Sequence, residues 1–163
     1  MNVQRIMTTG VRTIGIDAGL DAAAGQMWEM DCGCLPVVDA HDRIVGMLTD
    51  RDICMHAWTQ GRPLRELVVR AAMSAGVVTC RPNDPVSRAE RLMQKHQVRR
   101  LPVVDAGGHP IGIVSLGDLA REAMSEHESV ERAVTDTDVA HTLATVCQPR
   151  RIACIALGPV GSA

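Results

Sequence analysis

The chain repeats itself at a fixed spacing, and that repeat limits it to a paired architecture. Leu35-Pro36-Val37-Val38-Asp39-Ala40 returns unchanged as Leu101-Pro102-Val103-Val104-Asp105-Ala106, a shift of 66 residues. The same shift maps Met7 on Met73, Gly10 on Gly76, Thr13 on Thr79, Met27 on Met93, Gly46 on Gly112 and Asp52 on Asp118. Residues 5–54 and 71–120 share 14 identities without a gap, and most other positions exchange like for like. The chain is therefore two copies of one supersecondary unit plus a tail. Whatever lies between the copies sits on a pseudo-twofold axis.

Each copy reads in the same order. Val11–Ile14 and Val77–Cys80 are short β-branched runs, hence strands. In copy two, Asn83-Asp84-Pro85 offers an N-cap followed by proline at the first helical position. Helical spacing follows at Leu20, Ala23, Met27 and Met30, and again at Val86, Ala89 and Met93. Leu35–Val38 and Leu101–Val104 read as buried strands, followed by Ile44–Leu48 and Ile111–Val114. A second helix opens at Thr49 and at Ser115. The unit is β-α-β-β-α, of α/β (α+β) class. One copy alone exposes an apolar sheet face, so the two are expected to pack sheet against sheet. The expected division is 1–60 for repeat one, 61–70 for a linker, 71–124 for repeat two and 125–163 for a helical tail. The linker is read as running into a short helix, Leu64–Met73. In the tail, Asp136–Val146 spaces Val139, Leu143 and Val146 as one helical stripe, with a loose terminus after Pro149.

Composition narrows the function. The net charge is −2 and the pI is near 6.3, so no global field favours nucleic acid. The chain has no Phe or Tyr and only Trp28 and Trp58, which removes base-stacking platforms. No apolar run approaches the ~20 residues of a membrane-spanning helix, and the first residues lack the apolar core of a signal peptide. The expectation is a soluble cytoplasmic protein with no nucleic-acid or membrane partner.

Two spacings carry chemistry. Gly46-x-x-Thr49-x-x-Asp52 and Gly112-x-x-Ser115-x-x-Asp118 place a hydroxyl and a carboxylate at a strand-to-helix junction. A helix N-terminus offers unpaired N–H groups to phosphate, and a carboxylate accepts both hydroxyls of a ribose. The same spacing is that of a capping box, which stabilises a helix start and binds nothing. The residues alone leave both readings open.

The two copies resemble a tandem pair of cystathionine β-synthase (CBS) domains, a Bateman module. The resemblance rests on Ile6-Met7-Thr8, Leu35–Asp39, Val45–Ile53, Gln97–Asp105 and Ile111–Leu119, and covers about residues 1–122. The segment Leu143–Pro149 is similar to the C-terminal helix of stand-alone bacterial CBS-pair proteins of the hypoxic-response type. The resemblance implies a regulatory module that binds AMP, ADP, ATP or S-adenosylmethionine and signals through its own homodimer or an unknown protein partner. It implies ligand contacts at Thr13, Thr49, Arg51, Asp52, Thr79, Arg99, Arg100, Ser115 and Asp118. Arg99 and Arg100 stand where the first copy has Gly33 and Cys34, so the two sites are expected to differ, with phosphate favouring the arginine fork. The alternative for these arginines is pairing with Asp105 or Glu90.

The remaining chemistry-bearing residues read as structural. Cys32, Cys34, Cys54, Cys80, Cys147 and Cys154 lack zinc-finger spacing. Cys54 and Cys80 are read as core-facing, and Cys147 and Cys154 as exposed. Met27, Met30, Met93 and Met124 are read as core filler, although Met27, Met30 and Met93 are equally a candidate dimer surface. His96 and His127 read as solvated. No nucleophile-base-acid set appears, so neither an enzyme nor a resident metal or cofactor is expected. The competing reading is a structural or stress-response dimer with vestigial ligand sites and redox- or metal-responsive cysteines.

Overall fold

The computed structural model describes residues 1–125 and 134–148. In chain order they form β1 (Thr8–Thr9), β2 (Ile14–Gly15), α1 (Leu20–Glu29), β3 (Cys34–Val38), β4 (Ile44–Thr49) and α2 (Asp50–Gln60). Then come α3 (Val69–Ala72), β5 (Ser74–Ala75), α4 (Val86–His96), β6 (Arg100–Val104), β7 (Pro110–Ser115), α5 (Leu116–Ser125) and α6 (Asp136–Val146). Single 3₁₀ turns occupy Val3–Arg5 and Leu64–Glu66.

The strands make two sheets, ordered β2-β3-β4-β5 and β1-β7-β6. Each repeat lends the segment before it to the other. β1 precedes the first repeat yet pairs with β7 of the second, with Thr9 opposite Gly112. β5 precedes the second repeat yet pairs with β4 of the first, with Ala75 opposite Gly46. The bridges Asn2–Pro85 and Gly19–Val68 obey the same exchange. Both glycines are required by it. A Cβ on Gly46 would stand 2.5 Å from the Met73 sulfur, and one on Gly112 would stand 2.9 Å from that of Met7.

The packing follows the same logic. Val3 lies in one core with Val86, Met93, Leu101 and Leu119. Leu67 and Val69 lie in the other with Leu20, Leu35 and Leu48. Residues 61–70 therefore contribute core side chains to the first repeat. In β3, Leu35 and Val37 face the helices, while Cys34, Pro36 and Val38 face the other way and are buried as well. Pro102 and Val104 repeat this on β6. Strands buried on both faces need cover on both, and the two sheets cover each other. The Ile44 N–H also donates to the Gly108 carbonyl across the repeats (3.0 Å). Asp39 and Asp105 close equivalent turns. Asp39 accepts from the N–H groups of His41 and Arg43, and Asp105 from those of Gly107 and His109. These bonds hold both carboxyls below their ordinary range.

Several local expectations change. The run Val11–Ile14 is strand only from Ile14, and the run ending at Cys80 makes a single parallel bridge, Cys80 with Val103. Pro85 is itself the N-cap of α4 rather than its first helical residue. Asp84 instead turns back to accept from the Arg81 N–H (2.9 Å). The expected helix over Leu64–Met73 is broken at Leu67 and Val68, whose extended backbone bonds to the segment before α1. Cys54 is exposed rather than core-facing. Met27 and Met93 are core and not a surface, whereas Met30 (48% exposed) and Met124 (73%) fill no core. Cys147 is exposed, as read. His127, Cys154 and residues 150–163 lie outside the described residues.

α6 has the expected bounds and lies on α4 and α5. Thr135 caps it, accepting from the Asp138 N–H (3.1 Å). Its packed face is Thr142 and Val146, with Val139 half-buried, whereas Leu143 turns to solvent. The Gln94 amide donates to the Thr142 hydroxyl (2.9 Å). Beside this contact Glu90 is buried, and its Oε1 lacks a partner. Burial and the nearby Asp138 push the Glu90 carboxyl above its ordinary 4.5, against the pull of Arg91.

Two expectations follow from this packing. Gly112→Ala should destabilise by about 1–3 kcal/mol in urea denaturation, the usual cost of overpacking. Adding Met7→Ala should recover part of that loss, because the methionine sulfur is what the new Cβ meets. For Glu90 the folded state binds its proton to higher pH than the unfolded chain. Its contribution is thus full below the ordinary 4.5 and is lost as pH rises through the folded value. Glu90→Gln should raise the melting temperature at pH 7 and give no gain at pH 4. An equal gain at both values would show that ionisation is not the cause.

Candidate functional site

The hydroxyl and carboxylate of each repeat meet at a helix start. Thr49 ends β4 and is the N-cap of α2. Its hydroxyl donates to Asp52 Oδ2 (2.7 Å), its N–H donates to the same oxygen (2.9 Å), and the Asp52 N–H returns a bond to the hydroxyl (3.2 Å). Ser115 and Asp118 reproduce this at 2.6, 2.7 and 3.3 Å. Both pairs are full capping boxes. One oxygen of each carboxylate is thus committed to the helix. The second oxygens differ between the repeats. Asp118 Oδ1 is held by Arg121, while the position equivalent to Arg121 is Met55 and Asp52 has no such clamp.

Other residues named from sequence gather at the same end of the sheets. Arg100 is the β6 partner of Ser115, and the Leu116 N–H donates to the Arg99 carbonyl (3.0 Å). Cys34 is the β3 partner of Thr49. Cys34 and Arg100 are the same position in the two repeats, and the Arg100 charge reaches the Cys34 thiol. The two strand starts therefore lie within electrostatic reach of one another, each carrying its capped helix N-terminus beside it. Thr13 and Thr79 each stand one residue before the segment that lies parallel to the central strand, at Ile14–Val37 and Cys80–Val103. Arg51 is exposed, one residue into α2 from Asp50, whose Oδ1 accepts its N–H (2.7 Å).

The arginines are not spent on the carboxylates weighed for them. Asp105 bonds to its own turn and to His109, and Glu90 faces α6. Arg99 instead reaches the sulfur of Cys147, at the end of α6 (3.7 Å). Arg121 was missed by the sequence reading. Its signal was the three-residue spacing from Asp118, which puts both on one helix face.

Two clefts open on the first repeat, one beside the Thr49 junction and one containing Thr13. One of about 660 Å³ runs between α1 and α2 and includes Trp28, Asp31, Asp50 and Cys54. The other, about 760 Å³, includes Arg12, Thr13, Gln26 and Glu29. Neither contains Asp52 or Asp118. Among the described residues no three His, Cys, Asp or Glu side chains are grouped to hold a metal ion. The cysteines are poor nucleophiles where they are buried. Burial pushes the Cys34 thiol up against the pull of Arg100, and pushes that of Cys80 up to about 12. No helix among the described residues is long and apolar enough to cross a membrane.

Comparison with known proteins identifies the repeated unit. The family model for the CBS domain matches twice, over residues 3–58 and 68–125. CBS domain-containing protein YhcV of Bacillus subtilis is 41% identical over 135 residues, covering 83% of this chain and 94% of YhcV. Hypoxic response protein 1 of Mycobacterium tuberculosis is 35% identical over 126 residues, covering 77% of this chain and 87% of that protein. Among solved structures, CBSX2 in complex with AMP superposes with a TM-score of 0.65 at 27% identity, covering 76% of this chain and 96% of CBSX2. The CBS domain pair of protein MJ0100, in complex with 5-methylthioadenosine and S-adenosyl-L-methionine, gives 0.66 at 27%, covering 74% and 98%.

The geometry makes Asp118 a structural residue whatever else it does. Asp118→Ala should cost about 0.5–2 kcal/mol of stability through the lost cap. Asp52→Ala should cost less, because Asp52 is more exposed and lacks the arginine clamp. Equal losses in chemical denaturation would show that Arg121 adds nothing to the second cap.

Proposed function

The chain belongs to the CBS-domain family, and we propose that it is a cytoplasmic regulatory module that binds an adenine nucleotide or other adenosyl ligand between its two repeats. One observation carries this reading. Each repeat starts a helix with a capped hydroxyl and carboxylate beside its strand start, at Cys34–Thr49 and Arg100–Ser115, and the Arg100 charge acts on the Cys34 thiol of the other repeat. Helix N-termini and guanidinium forks both suit phosphate. The complexes of CBSX2 with AMP and of MJ0100 with adenosyl compounds support the ligand class. Thr13, Thr49, Arg51 and Asp52 form the first site, and Thr79, Arg99, Arg100, Ser115 and Asp118 the second. The second is the tighter site for phosphate-bearing ligands. In this reading binding shifts the packing of the repeats, and the signal passes to a partner protein or through a homodimer. The chain itself catalyses nothing.

The caps give the reading a specific form. The ligand competes with Arg121 for Asp118, and meets no such competitor at Asp52. Ribose binding at the second site therefore needs Arg121 to swing aside, which its exposed position permits.

The test is a thermal-shift panel of AMP, ADP, ATP and S-adenosylmethionine, followed by calorimetry. A ligand at about 100 times its dissociation constant should raise the melting temperature by about 5–10 °C. Arg99→Gln with Arg100→Gln should weaken AMP and ATP at least tenfold, the scale of lost charged hydrogen bonds, and adenosine much less. No shift with any of the four at millimolar concentration would end the proposal.

A further inference from the structure

α6 is an addition to the repeated unit. The match to the CBS domain ends at residue 125, and α6 follows it to lie on α4 and α5 of the second repeat. Its hold there is modest. Thr142 and Val146 are buried, the Gln94 amide donates to the Thr142 hydroxyl (2.9 Å), and Leu143 stays in solvent. Near Asp138 the same seat buries Glu90, whose Oε1 lacks a partner. A helix of 11 residues is marginal in water without its packing surface, so a small change in the seat is enough to loosen it.

The end of α6 is tied to a residue of the candidate ligand site. Arg99 donates from Nη2 to the sulfur of Cys147 (3.7 Å), the residue that follows Val146. The Arg99 carbonyl accepts from the Leu116 N–H, which fixes its backbone beside the second capped helix start. Successive side chains leave a strand on opposite sides. Arg100 acts on Cys34 of the other repeat, so Arg99 is directed to the opposite layer, where α6 lies. One guanidinium cannot stand in both places. A thiol sulfur is a weak acceptor, whereas phosphate makes short, charge-assisted and often bidentate bonds with arginine. A phosphate beside Arg100 therefore outcompetes Cys147 for Arg99.

We propose that a phosphate-bearing ligand at the second site draws Arg99 off Cys147 and so loosens α6, which makes α6 the element that signals occupancy. The proposal rests on the phosphate site of the functional reading and names its output. Coupling of this kind is reciprocal. Whatever frees the end of α6 strengthens phosphate binding, by the factor with which phosphate loosens the helix. The first repeat has Gly33 at the position of Arg99, so occupancy of the first site does not move α6 by this route.

Calorimetry and peptide-resolved hydrogen exchange on the full chain test this, with AMP, ATP and adenosine as probes. AMP and ATP should speed exchange across Asp136–Val146 about threefold or more, and adenosine should leave it unchanged. Cys147→Ala, at an exposed position, should tighten AMP and ATP by about two- to tenfold, the scale of one released hydrogen bond, with adenosine unaffected. Gln94→Ala, which loosens α6 at Thr142, should tighten them in the same sense. Arg99→Gln should leave α6 exchanging fast whether or not AMP is present. If AMP or ATP binds while α6 exchange is unchanged or slowed, or while Cys147→Ala leaves its affinity as it was, the coupling is overturned and the ligand reading stands. If neither AMP nor ATP binds, the coupling falls together with the phosphate site.

Discussion

The structure depends on an exchange of short strands. β1 and β5 are two residues each, yet they decide which residues share a core. Because each pairs with the other repeat, neither sheet is complete when its own repeat is folded alone. Val3 is fully buried in the second core and Val69 in the first. Burying an aliphatic side chain of this size contributes about 1.5–3 kcal/mol, so each borrowed segment is a substantial part of a small core. The pair is consequently one folding unit with two cores. The glycines at 46 and 112 are the steric record of that exchange, since the borrowed methionine lies where a side chain would stand.

The same twofold relation builds the candidate site. Residues near the axis come within electrostatic reach of their own equivalents, as the Arg100 charge acts on the Cys34 thiol. A helix N-terminus on one side of the axis therefore always brings a second to the other. The two ends need not be alike, and here they are not. The second is basic at Arg99 and Arg100 and clamped at Asp118 through Arg121. The first has Gly33 and Cys34 instead. The capping boxes do not argue against a ligand. They hold the hydroxyl and the carboxylate in place, which is the preorganisation a phosphate-ribose ligand would use.

The repeat made most of the fold legible. Once the shift was found, the unit order, the buried strands and the sheet-to-sheet packing followed from apolar runs and turn residues. What the sequence did not disclose was the exchange, because pairing between β1 and β7 spans over a hundred residues and two-residue strands carry no periodicity. Leu67 and Val68 misled for a related reason. Their spacing suits a helix, but bonding to the segment before α1 holds them extended, a tertiary demand that overrides local propensity. In the site, the capping reading and the ligand reading gave the same residues, so spacing alone could not separate them. Arg121 was hidden because its role exists only in one repeat.

Where the repeats agree and where they differ follows from geometry. Leu-Pro-Val-Val-Asp-Ala, the paired glycines and the exchanged methionines are kept in both copies. Each of those residues sits in a strand, a turn or a crossing that the twofold arrangement uses twice. Outward positions carry no such demand. Ala24 corresponds to buried Glu90, Trp28 to Gln94, and Met55 to Arg121. At these places the second repeat has become a seat for α6 and the first has become an exposed aromatic face. A substitution at an inward position must satisfy both neighbouring repeats, whereas one at an outward position answers to a single helix pair. The pseudo-symmetry thus fixes the interior and leaves the two outer faces free to take up different contacts.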